Sequence, residues 1–229
     1  MRRTSVVFMV AVLQFAANSV TAQTRPNGIE KSWNVHEALV RLSSLGFWPD
    51  TSATPLSSKN RQAIVAFEKV QRLKRTGKLS DSVAMAIRRA ERPLARDSMH
   101  RLHMEVDLNR QVLFVVDSVD HVWRILPVST GNGQKFFYPE KGWEYARTPR
   151  GTFRIYYKVS GWKKSELGML YDPMYIRGGF AIHGAQSVPA VPASHGCIRV
   201  PMFAAATLFR MMSVGTPVVV FGENPKSKD

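Results

Sequence analysis

Near Arg92-Pro93 the spacing of apolar residues changes from helical to alternating, and this change restricts the chain to a fold of two kinds of structure. Before it, Val35, Leu39 and Leu42 fall on one helical face, and Gly46 stands where a C-terminal cap belongs. Ile64, Phe67 and Val70 make a second stripe followed by Gly77, and Ser80 suits an N-cap ahead of Val83 and Ile87. After it, Val106 and Leu108 alternate with polar residues, Asn109-Arg110 turns the chain, and Val112 to Val116 returns. Val122 to Val128 is another apolar run, and Phe153, Ile155, Tyr157 and Val159 alternate as one half-buried strand. Phe180-Ala181-Ile182 is short and apolar, a helix is predicted from about Met202 to Met212, and Val218 to Phe221 closes the pattern. The polar tail after Glu223 is expected to be disordered. The expected class is α+β: a mainly-β, sandwich-like domain over 101–222, preceded by a small three-helix module over 34–92.

Ahead of the helices, Met1-Arg2-Arg3 is a short cationic start, Val6 to Ala17 is largely apolar, and Val20-Thr21-Ala22 places small residues at a peptidase site. Residues 1–22 therefore read as a secretory signal cut after Ala22, too short in its apolar run for the ~20 residues of a spanning helix. The expected location is exported, in a periplasm or cell wall. The chain carries 32 Lys+Arg against 17 Asp+Glu, a formal charge of +15 that becomes +13 without Arg2 and Arg3. Such a balance implies a polyanionic neighbour. Export argues against nucleic acid and leaves an anionic wall, with a membrane surface compatible but not required.

One cysteine among 229 residues excludes an intramolecular disulfide. Its surroundings are Ser194-His195-Gly196-Cys197-Ile198-Arg199, with Ile182-His183-Gly184 upstream. A thiol nucleophile needs its proton removed and its charge stabilised, and an imidazole does both. His195 is two residues from Cys197, on the same face if the stretch is extended, whereas His183 ends a predicted strand that would hold a base rigidly. Gly196 lets substrate approach the backbone, so the amides of Gly196 and Cys197 are candidate oxyanion donors. Arg199 could meet a carboxylate, and the Pro-rich Val188 to Pro192 reads as a loop joining the two halves of the site. Tyr156, Tyr157 and Trp162 are candidates for a groove wall, Lys163-Lys164 reads as a solvated loop, and His100 and His103 lack a nearby third metal ligand. A rival reading makes His183, His195 and Cys197 a zinc site, although no carboxylate base follows at a recognisable spacing.

The pair I-H-G and S-H-G-C-I-R resembles the signature of the L,D-transpeptidase catalytic domain, a cysteine family that remodels peptidoglycan. Val128-Ser129-Thr130-Gly131 and Thr148-Pro149-Arg150-Gly151-Thr152-Phe153 are similar to its V-S-x-G and T-P-x-G-x-F segments, and the resemblance spans about 103–222. His183 and Cys197 stand closer in sequence than in many members. Leu42 to Phe47 and Ala63 to Glu68 resemble a peptidoglycan-binding module, with Thr51 to Pro55 replacing that family's acidic, glycine-rich turn. The resemblance implies Cys197 as nucleophile and His183 as base, its ring oriented by a carbonyl near Gly184. It places His195 and Gly196 in the catalytic set and Ser194, Gly184 and Arg199 in the substrate pocket. It implies stem peptides and glycan as partners, with no cofactor and no metal. The acyl group would pass to an amine, or to water in a carboxypeptidase; a non-catalytic wall-binding protein would have no need of Cys197.

Overall fold

The computed structural model describes residues 34–53, 57–139 and 141–227; the expected signal at 1–22 lies outside the described residues. Helix α1 (Val35–Ser44) starts where Asn34 and Glu37 each accept the other's backbone N–H, at 2.8 and 3.1 Å. It ends at Gly46, whose φ of +95° closes the last turn as an L side chain rarely can. Helix α2 (Ser58–Val70) is capped by Ser57, and α3 (Asp81–Arg89) by Ser80.

The strands form two main sheets. The first runs β3 (Val122–Pro127), β2 (Val112–Val116), β1 (His103–Asp107), β12 (Pro217–Phe221), β6 (Gly151–Arg154). The second runs β11 (Ile198–Pro201), β10 (Phe180–Ala185), β9 (Gly168–Arg177), β7 (Tyr157–Lys158), with β8 (Trp162–Ser165) also paired to β9. A separate hairpin joins β4 (Lys135–Tyr138) to β5 (Gly142–Tyr145), and helix α4 (Met202–Met211) follows β11 directly. The architecture is α+β, as the change in periodicity predicts.

Two apolar cores explain why β2 is apolar at every position. Leu113 and Val115 join Met104, Val106, Met174, Ile182, Ile198, Val200 and the inner face of α4. Val112, Phe114 and Val116 point the other way, into a second core with Leu39, Leu42, Ile64, Phe67 and Ile87 of the helices. A strand covered on both faces loses the usual alternation. Helices and sheets accordingly belong to one compact unit, Trp33–Asp229.

One expected strand is two. Phe153 pairs with Val218 in the first sheet, whereas Tyr157 pairs with Tyr175 in the second. The chain changes sheets at Ile155, fully buried, which exchanges backbone hydrogen bonds with Thr216 and Gly215 rather than with either ladder. Side-chain alternation continues through such a crossing, so it gives no sign of it. Lys163-Lys164, expected in a loop, is instead the middle of β8 and remains exposed.

Candidate active site

The parallel pairing of β10 with β11 sets His183 opposite Arg199, and Cys197 immediately precedes β11 on the same alternation. Because side chains repeat every second residue, Cys197, Arg199 and His183 share one face of the sheet, while Ile182 enters the core behind them. All three line a groove of about 1020 Å³. Two hairpins form its walls: β4–β5 contributes Phe136, Tyr138 and Glu144, and β8–β9 contributes Trp162 and Met169.

His183 is 3% exposed, and its Nδ1 donates to the carbonyl of its neighbour Gly184 at 2.9 Å, which leaves Nε2 as the free lone pair. Burial, with the nearby Arg199 charge, lowers its pKa from 6.5 to about 4 against the opposing pull of the Gly184 carbonyl. The ring is thus a neutral acceptor at pH 7. Burial pushes the Cys197 thiol up, while the Ala181 backbone and Arg199 pull it down. The thiol itself donates to the Gly179 carbonyl at 3.7 Å. The site therefore rests as thiol and imidazole, not as an ion pair.

The Ser194–Cys197 turn is held from within. Ser194 Oγ donates to Cys197 O at 2.6 Å and accepts from Gly196 N at 3.0 Å, so this hydroxyl, expected to meet substrate, braces the turn. The same bond occupies the Gly196 amide. Of the expected pair of oxyanion donors, Cys197 N–H is the one without a hydrogen-bond partner among the described residues. Gly196 is required for its shape: φ is +133°, and a Cβ would lie 2.5 Å from the Phe180 ring and 2.9 Å from Arg147 O. Thr148 Oγ1 completes the hold by donating to Gly196 O at 2.8 Å.

Gly184, also expected to touch substrate, lies under α4 instead, where a Cβ would sit 2.7 Å from that of Ala205. His195 is exposed at the groove mouth, its ring 4.7 Å from that of Phe136, and burial and Arg199 lower its pKa. The Arg199 guanidinium has no carboxylate partner among the described residues. Trp162 lines the groove, but Tyr156 and Tyr157 pack against Tyr175 and do not. Nothing in the sequence singles out Tyr175, yet it lines the groove with Cys197, and its hydroxyl pKa is raised chiefly by burial. The hairpin walls escape the sequence reading as well, although Phe136 to Tyr145, with Pro139 and Gly142 at its turn, carries the composition of a hairpin.

Residues 101–220 match the model of the YkuD family, described as the L,D-transpeptidase catalytic domain. The chain belongs to this family. An L,D-transpeptidase of Xylanimonas cellulosilytica (residues 123–326) is 35% identical, covering 82% of this chain and 92% of that one, with a TM-score of 0.76. An L,D-transpeptidase (Yku) of Stackebrandtia nassauensis shares the fold at 22% identity and a TM-score of 0.51, covering 83% of this chain and 91% of that one. No match was found among curated proteins. The first likeness extends well beyond the L,D-transpeptidase domain, since 82% of the chain is more than residues 101–220 contain.

Proposed function

We propose that this protein is a peptidoglycan L,D-transpeptidase in which Cys197 is the nucleophile and His183 the base. The observation that carries the reading is the register of β10 on β11, which gathers the lone thiol, a neutral imidazole and a guanidinium with no carboxylate partner among the described residues on one groove face. Cys197 Sγ attacks the carbonyl of the third stem-peptide residue as its proton passes to His183 Nε2. The hydrogen bond to Gly184 O holds the ring in the tautomer that can accept it. The developing oxyanion meets Cys197 N–H; one such donor typically contributes ~3 kcal/mol. The tetrahedral intermediate collapses, breaking the amide bond, and the His183 proton leaves with the amine of the terminal D-alanine.

A neighbouring stem's amine then attacks the thioester, gives its proton to His183, and releases the Cys197 thiol with a new amide bond. Arg199 pairs with a substrate carboxylate, and His195 and Phe136 border the entrance. A water acceptor in the second step would give a carboxypeptidase from the same residues. The formal charge of +13 left after loss of Arg2 and Arg3 suits an exported protein working against an anionic wall.

The test is incubation of the protein with purified disaccharide-tetrapeptide and mass analysis of the products. Cross-linked dimer supports transpeptidation, and tripeptide monomer alone assigns the acceptor to water. Cys197→Ala should reduce either product at least a thousandfold, and turnover should survive chelators but not thiol alkylation. Unchanged turnover by Cys197→Ala sinks Cys197 as the nucleophile, and no turnover by the wild type leaves a wall-binding role.

A further inference from the structure

The segment that delivers Cys197 begins as an unusually bare loop. Residues 186–192 include Pro189 and Pro192, which have no N–H to give a ladder, so the loop can be tied down mainly through its carbonyls. Among the described residues, two hydrogen bonds do this. Ser129 Oγ donates to Val191 O at 2.8 Å, and Arg75 Nη1 donates to Ala190 O at 2.8 Å. Arg75 belongs to the helical part of the chain, 115 residues away in sequence.

A second tie, from α2 itself, reaches the seat on which the loop rests. Lys69, in the last turn of α2, is 1% exposed and donates from Nζ to Val128 O at 2.7 Å. Val128 leads into Ser129, which exchanges two 3.1 Å backbone hydrogen bonds with Arg199. Thr130 O accepts from Ala193 N at 3.0 Å and Ser194 N at 2.9 Å, and Asn132 N donates to Ser194 O at 3.1 Å. The segment 128–132 is thus the bed of the nucleophile turn, and Lys69 is fastened to its start.

Keeping a lysine here is costly. Burial, together with the charge of Arg75, lowers its pKa to about 7. Arg75 is held in place from behind: buried Glu68 accepts from Thr76 Oγ1 at 2.6 Å and Gly77 N at 2.8 Å, folding the post-helix segment back on α2. A helix whose only task was to cover β2 and β3 would be served by apolar side chains at position 69 and by any residue at 75.

We infer that the helical module is a positioning element for the active site: Arg75 and Lys69 clasp the 186–193 loop and its bed from outside the catalytic domain and so fix the placement of Cys197. This deepens the proposed function and rests on Cys197 being the nucleophile, so its test includes an arm that needs no substrate. Hydrogen exchange of the full chain, followed by mass spectrometry on peptides covering 186–197, is compared between wild type, Arg75→Ala, Arg75→Lys and Lys69→Met. Arg75→Ala is expected to speed exchange in 186–197 at least tenfold while β1 and β2 stay protected, and Arg75→Lys to restore protection to within about threefold of wild type. On disaccharide-tetrapeptide, Arg75→Ala should lower kcat about tenfold with KM within twofold, and Arg75→Lys should recover most of it.

Unchanged exchange over 186–197 in Arg75→Ala overturns the clasp whatever the enzyme's substrate proves to be. Faster exchange with unchanged kcat overturns the positioning role. A kcat loss that follows a general loss of protection, with no recovery in Arg75→Lys, also overturns it. If wild type turns over no muropeptide, the proposed function fails and the exchange arm alone decides the clasp. Should Arg75→Ala not fold, Arg75→Gln, too short to reach Ala190 O, carries the same comparison.

Discussion

His183 is kept neutral by its location, and that has a thermodynamic signature. Its pKa falls from 6.5 to about 4 on folding, so between these values the unfolded chain binds the proton that the folded chain refuses. Stability attributable to this group is complete above pH 6.5 and is lost as the pH falls to about 4, roughly 3 kcal/mol in all. Urea midpoints taken at neutral pH and near pH 4 should show this loss. His183→Asn should remove the corresponding part of the slope, while the share due to carboxylates remains. An equal slope in the variant would mean that the imidazole is not buried as described. The same residue illustrates what the sequence could and could not say. His183 and Cys197 were picked out together by the resemblance of I-H-G and S-H-G-C-I-R to a family signature, and the β10–β11 register sets both in one groove. Gly184 belongs to the same motifs, yet it packs under α4, and Ser194, which lines the groove, also braces the turn, because a motif does not reveal which face of the backbone a neighbour presses on. Nor does it reveal that Ser194 has already taken the Gly196 amide.

At the scale of the elements, β10 and α4 meet with nothing between them. A methyl group at Gly184 would come within 2.7 Å of Ala205 Cβ, 3.1 Å of the Tyr171 ring and 3.2 Å of Met202 Sδ. Gly184→Ala should therefore push α4 outward and disturb the carbonyl that orients His183. The expected cost is ~1–3 kcal/mol in stability, read from thermal melting, with a fall in kcat beyond what the stability loss explains. A variant with wild-type melting and kcat would show that α4 yields freely. Strands and helices with a single continuous pattern were readable: α1, α2, α3, α4, β2 and β12 lie where their spacing puts them. The failures are where pattern and partner separate. Ile155 keeps its alternation while the chain leaves one sheet for the other, and β8 is polar over most of its length because it is paired along its backbone and open on its faces. Glu68 and Lys69 carry charges that their sequence neighbours give no reason to bury, and both are buried: Glu68 holds Thr76 and Gly77 of the returning segment, and Lys69 reaches Val128 O.

For the whole molecule, the two cores share β2, and neither can be opened without exposing the other's wall. Unfolding should therefore be a single transition: tryptophan fluorescence and far-ultraviolet circular dichroism should give coincident curves in urea. Two separated transitions would contradict the shared strand. Removing residues before 93 should leave Val112, Phe114, Val116 and Ile125 in water, producing a species that binds hydrophobic dyes or precipitates rather than a trimmed active domain. The doubly covered strand also bears on how such a chain could change over generations. An accessory module tethered by a linker can be swapped, duplicated or lost with little effect on its neighbour. Here the boundary runs through the interior of one strand, so each half sets conditions on the other's permissible substitutions, and the pair must be inherited and altered together.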